Sequence, residues 1–132
     1  MYPGAHVATS PDKAAIIQAD TGQVVTYREL DSRSISLARH LRDQGIATGE
    51  NIAFLSDNLP PVFETYWAGL RSGFYVTGVN NHLTAPEAAY ILNDCGARAL
   101  IVSAAFAELA VEVAALVPGL TVKLAFGGDV DG

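Results

Sequence analysis

Between Asn51 and Thr84 two short apolar runs, Ile52–Leu55 and Phe74–Val79, flank a segment that opens on Pro60-Pro61 and closes on Gly73. Runs of this length without polar alternation suit strands covered on both faces. The segment between them starts with prolines, which cost little where the first N–H groups of a helix have no partner. It then carries Val62, Phe63, Tyr66, Trp67 and Leu70 at helical spacing, and these five are the expected buried face. Two short strands joined through a helix form a βαβ unit, whose strands run parallel and whose crossover is right-handed. Gly78, inside the second run, predicts a close approach of backbone.

The same alternation continues downstream. Thr84-Ala85-Pro86-Glu87 has the form of a capping box, and the helix it opens carries Ala88, Ile91 and Leu92 inward before stopping near Gly96. Ala99–Val102 reads as a third buried strand. Ser103 can cap a further helix with Phe106, Leu109, Ala110, Val113 and Val117 on one stripe, ended by Pro118-Gly119. Leu120–Phe126 alternates around Thr121 and Lys123, as a strand with one wetter face at a sheet edge would.

Upstream, Ala14–Gln18 and Gln23–Thr26 flank turn residues Asp20-Thr21-Gly22 and predict a hairpin. Thr26-Tyr27-Arg28-Glu29 is a second capping box. Behind it Tyr27, Leu30, Ser34, Leu37, Ala38 and Leu41 recur at helical spacing, and Gly45 is placed to end the helix in a left-handed conformation. The expected fold is α/β: an N-terminal hairpin followed by a mainly parallel, doubly wound βαβαβαβ sheet. The expected division is an N-terminal segment and hairpin over 1–26, a helix plus βαβ repeats over 27–126, and a flexible tail over 127–132. The chain stops just after a strand, as a truncated gene fragment would.

Composition narrows the function. Of the 132 residues, 50% are hydrophobic and 17% charged, which argues for a packed core rather than disorder. A net charge of −6 with eight scattered basic residues leaves no footprint for nucleic acid. One cysteine, Cys95, cannot form an internal disulfide and suits a reducing cytosol. Its setting at a helix end, with no histidine near in sequence, is that of a small buried hydrophobe. The N-terminus lacks the basic and apolar regions of a signal peptide. No apolar run reaches the ~20 residues of a membrane span.

In open α/β sheets, ligands sit beyond the carboxyl ends of the strands. Ser56-Asp57-Asn58, Asn80-Asn81-His82 and Ser103 are expected on that edge. Their plainer reading is turn and capping chemistry, which asks for the same residue types. Asn80 and His82 are the expected positions on a crevice wall. His6, His40 and His82 have no metal-ligand spacing, so no metal site is expected. The carboxylates near Asp129 lack the remaining oxygens of a calcium loop. No glycine-rich dinucleotide or triphosphate loop follows any strand, and no nucleophile elbow is present. No catalytic residue is therefore assigned.

Taken together and in order, Pro11-Asp12-Lys13-Ala14-Ala15-Ile16, Thr26-Tyr27-Arg28-Glu29-Leu30, Gly49-Glu50-Asn51-Ile52-Ala53, Asn58, Ala68, Gly73, Asn80, Leu83-Thr84, Glu87 and Tyr90–Arg98 resemble the start of the adenylate-forming, acyl-activating (AMP-binding) enzymes, nearest the fatty-acid–CoA ligases. Where many relatives have Gly-Asp, this chain has Gly49-Glu50. Val79 stands where many have proline. Asn80-Asn81-His82-Leu83-Thr84 replaces a common Asn-Pro-Arg-Leu-Thr.

The resemblance implies that the chain is part of the large adenylation domain. It further implies a two-step ligase reaction in the whole enzyme: a fatty acid or other carboxylate attacks ATP, with Mg2+, and coenzyme A then displaces AMP. The family's phosphate-binding loop, its adenine and ribose contacts and its catalytic lysine have no counterpart in this sequence. The 132-residue chain is thus expected to be inactive alone and to hold none of these ligands. A cytoplasmic setting, with peripheral membrane contact left open, goes with the resemblance. Two other readings stand beside it. One is a non-enzymatic module that self-associates through exposed apolar surface. The other is a free-standing small-ligand binder.

Overall fold

The computed structural model describes residues 2–130. A short helix α1 (Pro3–Val7) precedes strands β1 (Ala14–Ile17) and β2 (Val24–Thr26), which pair antiparallel as a separate hairpin. Helix α2 (Tyr27–Asp43) follows at once. Its capping box is closed from both sides: the Glu29 N–H donates to Thr26 Oγ1 at 3.2 Å, and the Thr26 N–H donates to Glu29 Oε2 at 2.8 Å. Gly45, at φ +90°, turns the chain out of the helix in the left-handed region that costs other residues strain.

The remaining elements alternate: β3 (Asn51–Leu55), α3 (Pro60–Ser72), β4 (Tyr75–Val79), α4 (Ala85–Asp94), β5 (Ala97–Ser103), a 3-10 turn (Ala104–Phe106), α5 (Ala107–Leu116) and β6 (Val122–Phe126). They build a four-stranded sheet in the order β4-β3-β5-β6, and every pairing is parallel. Ala53, Leu55, Val79, Leu100 and Val102 face α4 and α5, which contribute Ala88, Leu92 and Val113 to one core. Ile52, Ala99, Ile101 and Val122 face the other side, where Leu41 of α2 packs. Leu41 and Ile52 are fully buried, which is worth about 2 kcal/mol for each side chain.

The sheet is therefore covered on both faces, as a doubly wound fold requires. The path from β3 to β4 moves one way across the sheet with α3 on the α2 face. The path from β4 to β5 reverses direction and places α4 on the opposite face. Reversing direction and face together preserves the hand of the crossover, so both connections obey one chirality.

Two expectations are corrected. The expected buried face of α3 does not face inward: Phe63, Tyr66 and Leu70 are exposed, while Val62 and Trp67 are half-buried. The buried seam is Thr65, Ala68, Gly69 and Ser72, which also recur at helical spacing. Small side chains let α3 lie close to both α2 and β4, and a β-carbon on Gly69 would overlap Val76. Ion pairs between Arg71 and Asp31 (2.6 Å) and between Arg33 and Glu64 (3.3 Å) tie α3 to α2 along the same seam. The second correction concerns β4. It is an edge strand with Tyr75 exposed, not one covered on both faces. Gly78 does mark a close approach, but what approaches is the Phe54 ring, 2.9 Å from where a β-carbon would stand.

β6 is the other edge and alternates as expected, with Val122 buried and Lys123 exposed. Of the expected tail over 127–132, Val130 packs against the α4–α5 core. Residues 131 and 132 lie outside the described residues.

Candidate functional site

β3 and β4 are adjacent and parallel, so their carboxyl ends share one edge of the sheet. β3 leaves that edge toward α3 on one face, and β4 leaves it toward α4 on the other. Loops that diverge to opposite faces open a crevice between them, which is where open α/β sheets hold ligands. Here the crevice is a cleft of about 440 Å³ lined by Phe54, Ser56, Asp57, Asn58, Asn80, Asn81 and His82.

Hydrogen bonds give the cleft its shape. Asn81 Nδ2 donates to the Ser56 carbonyl at 3.2 Å and so latches the β4 loop to the β3 loop. Asn80 Oδ1 accepts the His82 N–H at 2.9 Å, a side-chain-closed turn that aims the loop away from the strand. The loop then enters α4, whose first turn is anchored by Glu87: its carboxylate accepts the Thr84 N–H at 2.9 Å and the Thr84 hydroxyl at 2.7 Å. The backbone bond, followed by the hydroxyl bond, holds the Glu87 carboxyl below the usual carboxylate range. On the facing loop, Ser56 Oγ donates to the Asp57 carbonyl at 2.7 Å.

Two of the three loops expected at this edge therefore meet, and Asn80 and His82 both line the cleft. Ser103 does not. It is buried at the end of β5, where Ser103 Oγ accepts the Ala105 N–H at 3.4 Å and opens the 3-10 turn. Cys95 caps the far end of α4, partly buried, with Sγ 3.6 Å from the Leu92 carbonyl. The end of α4 leads into the start of β5, so this thiol sits at the opposite edge of the sheet from the cleft.

The lining offers amide, hydroxyl and imidazole groups, one carboxylate (Asp57) and no cation. Such a wall can orient a neutral polar group by hydrogen bonds. It has no positive charge to hold a triphosphate. Among the described residues no three His, Cys, Asp or Glu side chains gather as a metal site. The residues present therefore do not fit a magnesium–triphosphate site by themselves, and no step is derived through one.

The Asn81–Ser56 latch has no signature in the sequence, because it depends on β3 and β4 being neighbours. Asn81 was legible only as part of a polar loop.

Comparison with known proteins gives a consistent result. The family model described as AMP-binding enzyme matches residues 4–129. A fatty acid–[acyl-carrier-protein] ligase, ScoC, of Streptomyces coeruleorubidus is 30% identical over 119 residues, covering 90% of this chain and 22% of that protein. A long-chain-fatty-acid–CoA ligase of Salmonella typhimurium is 34% identical over 105 residues, covering 78% of this chain and 18% of that protein. A solved structure from Rhodopseudomonas palustris, described as a long-chain-fatty-acid CoA ligase, superposes with a TM-score of 0.88 at 27% identity, over 98% of this chain and 32% of that one. The chain thus spans about a fifth of the length of these curated relatives.

Proposed function

The chain belongs to the AMP-binding enzyme family, and on that premise we propose that it is part of the adenylation domain of an acid–thiol ligase acting on a fatty acid. In the whole enzyme the carboxylate attacks the α-phosphorus of ATP and expels pyrophosphate, leaving an acyl-adenylate. The thiol of coenzyme A then attacks the acyl carbon and releases AMP, leaving the thioester. Magnesium, where bound, would neutralise phosphate charge.

The observation that carries this reading is the match over residues 4–129 together with the fold shared with a CoA ligase at a TM-score of 0.88. The fatty acid as substrate is supported by the printed activities of the relatives. Their thiol acceptors differ, an acyl-carrier protein in one and coenzyme A in the other. Coenzyme A is favoured here because the resemblance as a whole is nearest the fatty-acid–CoA ligases and both the Salmonella typhimurium relative and the superposed structure are described as CoA ligases.

The part assigned to this chain is scaffold and crevice wall. Asn80 fixes the β4 loop through its bond to the His82 N–H, and His82 presents an exposed imidazole at the cleft. Neither is assigned proton transfer. The catalytic groups are assigned to other parts of the enzyme, and the division into 1–26, 27–126 and 127–132 remains part of the same reading. A cytoplasmic setting, with peripheral membrane contact left open, is carried by the resemblance alone. Among the described residues no helix is long and apolar enough to cross a membrane.

The open face of α3 supports one addition. Tyr66 and Leu70 expose apolar surface on one helix, and the isolated chain pairs two copies through it.

A pyrophosphate-release assay on the purified 132-residue chain tests the division of labour. With ATP, Mg2+, palmitate and coenzyme A, release should stay at the blank rate. Turnover above blank would place the catalytic groups within this chain and end the scaffold reading.

A further inference from the structure

A second concavity lies apart from the crevice, where α1 crosses α2 beside α3 and β1. It is an open concavity of about 330 Å³, within the size range of small-molecule pockets, and shares no lining residue with the crevice. Five ring side chains line it: Tyr2, His6, Tyr27, Phe63 and Trp67. His6 and Tyr27 stack with centroids 4.6 Å apart and planes 31° from parallel, so one wall is already an ordered pair of rings. Gly4 helps to set another wall: a β-carbon there would stand 2.7 Å from Tyr2 Cε2, so the missing side chain lets the Tyr2 ring lie over the helix.

We propose that this cavity binds a neutral, planar aromatic molecule carrying a hydrogen-bond acceptor. Planarity follows from the ring walls, since aromatic faces and edges pack best against another flat ring. Neutrality follows from the lining, which contains no Asp, Glu, Lys or Arg to pair with a charged ligand; the net charge of −6 further disfavours anions. The acceptor follows from the available donors. The Trp67 indole N–H can only donate, and the Tyr2 and Tyr27 hydroxyls can do so. All three belong to residues that line the concavity. The site is independent of the ligase reading, because it needs neither the crevice nor a nucleotide.

The test uses the full 132-residue chain, labelled with 15N and titrated with benzamide. Trp67 is the sole tryptophan, so its indole N–H is a single, assigned reporter. Binding should give saturable shifts at that resonance and at the amides of Gly4, His6, Tyr27 and Phe63, with none at Asn80–His82. Benzoate, which is charged, and cyclohexanecarboxamide, which is not flat, should each bind roughly tenfold more weakly. Tyr2 caps α1 and is exposed, and Phe63 is exposed on α3, so replacing either leaves the sheet core untouched. Tyr2→Ala and Phe63→Leu should each weaken benzamide several-fold. The proposal is overturned if the shifts grow linearly without saturating. It is equally overturned if cyclohexanecarboxamide binds as well as benzamide, or if both variants bind benzamide unchanged.

Discussion

Gly69 of α3 lies against Val76 of β4 so closely that a β-carbon on the glycine would overlap the valine side chain. This contact sets how near the helix comes to the edge strand. It also forces the larger residues of α3 to the outside. Gly69→Ala should therefore destabilise the chain by about 1–3 kcal/mol, the usual cost of overpacking, although the same change on an open helix would stabilise it. Urea unfolding should show a lower midpoint at an unchanged slope. Val76→Ala should recover part of the loss in the double variant, since the two residues share one contact.

That contact also explains what could be read from the sequence and what could not. α3 carries two stripes at helical spacing. Hydropathy selects Val62, Phe63, Tyr66, Trp67 and Leu70, whereas close packing selects Thr65, Ala68, Gly69 and Ser72. Periodicity cannot choose between stripes of equal spacing; the near approach of β4 does. Local signals fared better. The two Thr–Glu boxes, the glycine stop at Gly45 and the alternation of β6 depend on neighbours within a few residues, and all appear where expected. Strand order is a long-range property, so the edge position of β4 and the Asn81–Ser56 latch were not legible. Asn80 and His82 follow the carboxyl end of β4, an edge that adjacent parallel strands share whatever their order in the sheet.

The two capping boxes predict a pH dependence. Glu29 is held below the usual carboxylate range first by the Thr26 N–H, then by the Thr26 hydroxyl, with a smaller contribution from Arg33. Glu87 is held down in the same way by Thr84. A carboxyl depressed in the folded state stabilises it when ionised. That contribution is complete above the ordinary glutamate value of about 4.3 and is lost as pH falls through the lower folded value. Glu29→Gln and Glu87→Gln should thus lower the urea midpoint at neutral pH. The difference from the parent chain should shrink as pH drops from about 5 to about 3. A difference that stays constant over that window would contradict the assignment.

At the cleft, Asn80 and His82 should separate in a stability measurement. Asn80→Ala removes the acceptor of the His82 N–H and should cost about 1 kcal/mol. His82→Ala removes an exposed ring and should change stability by less than about 0.5 kcal/mol. Equal losses in the two variants would show that the imidazole packs rather than presenting itself to the cleft.

Association through α3 should be dose-dependent and specific to its open face. Sedimentation velocity of the isolated chain should show a dimer fraction that grows with concentration. Leu70→Gln, at a residue 63% exposed, should reduce that fraction while leaving the unfolding midpoint nearly unchanged. A monomer at every concentration would remove association from the account.

The central claim is that these residues are the structural part of an acyl-activating domain and leave the chemistry to other segments. The most direct measurement is a chimaera in which residues 4–129, the span matched to the family, replace the matching segment of the Salmonella typhimurium long-chain-fatty-acid–CoA ligase. Its formation of palmitoyl-CoA from palmitate, ATP and coenzyme A is then followed. The account predicts a soluble chimaera that makes the thioester. A chimaera that folds and binds ATP yet forms neither adenylate nor thioester would contradict it.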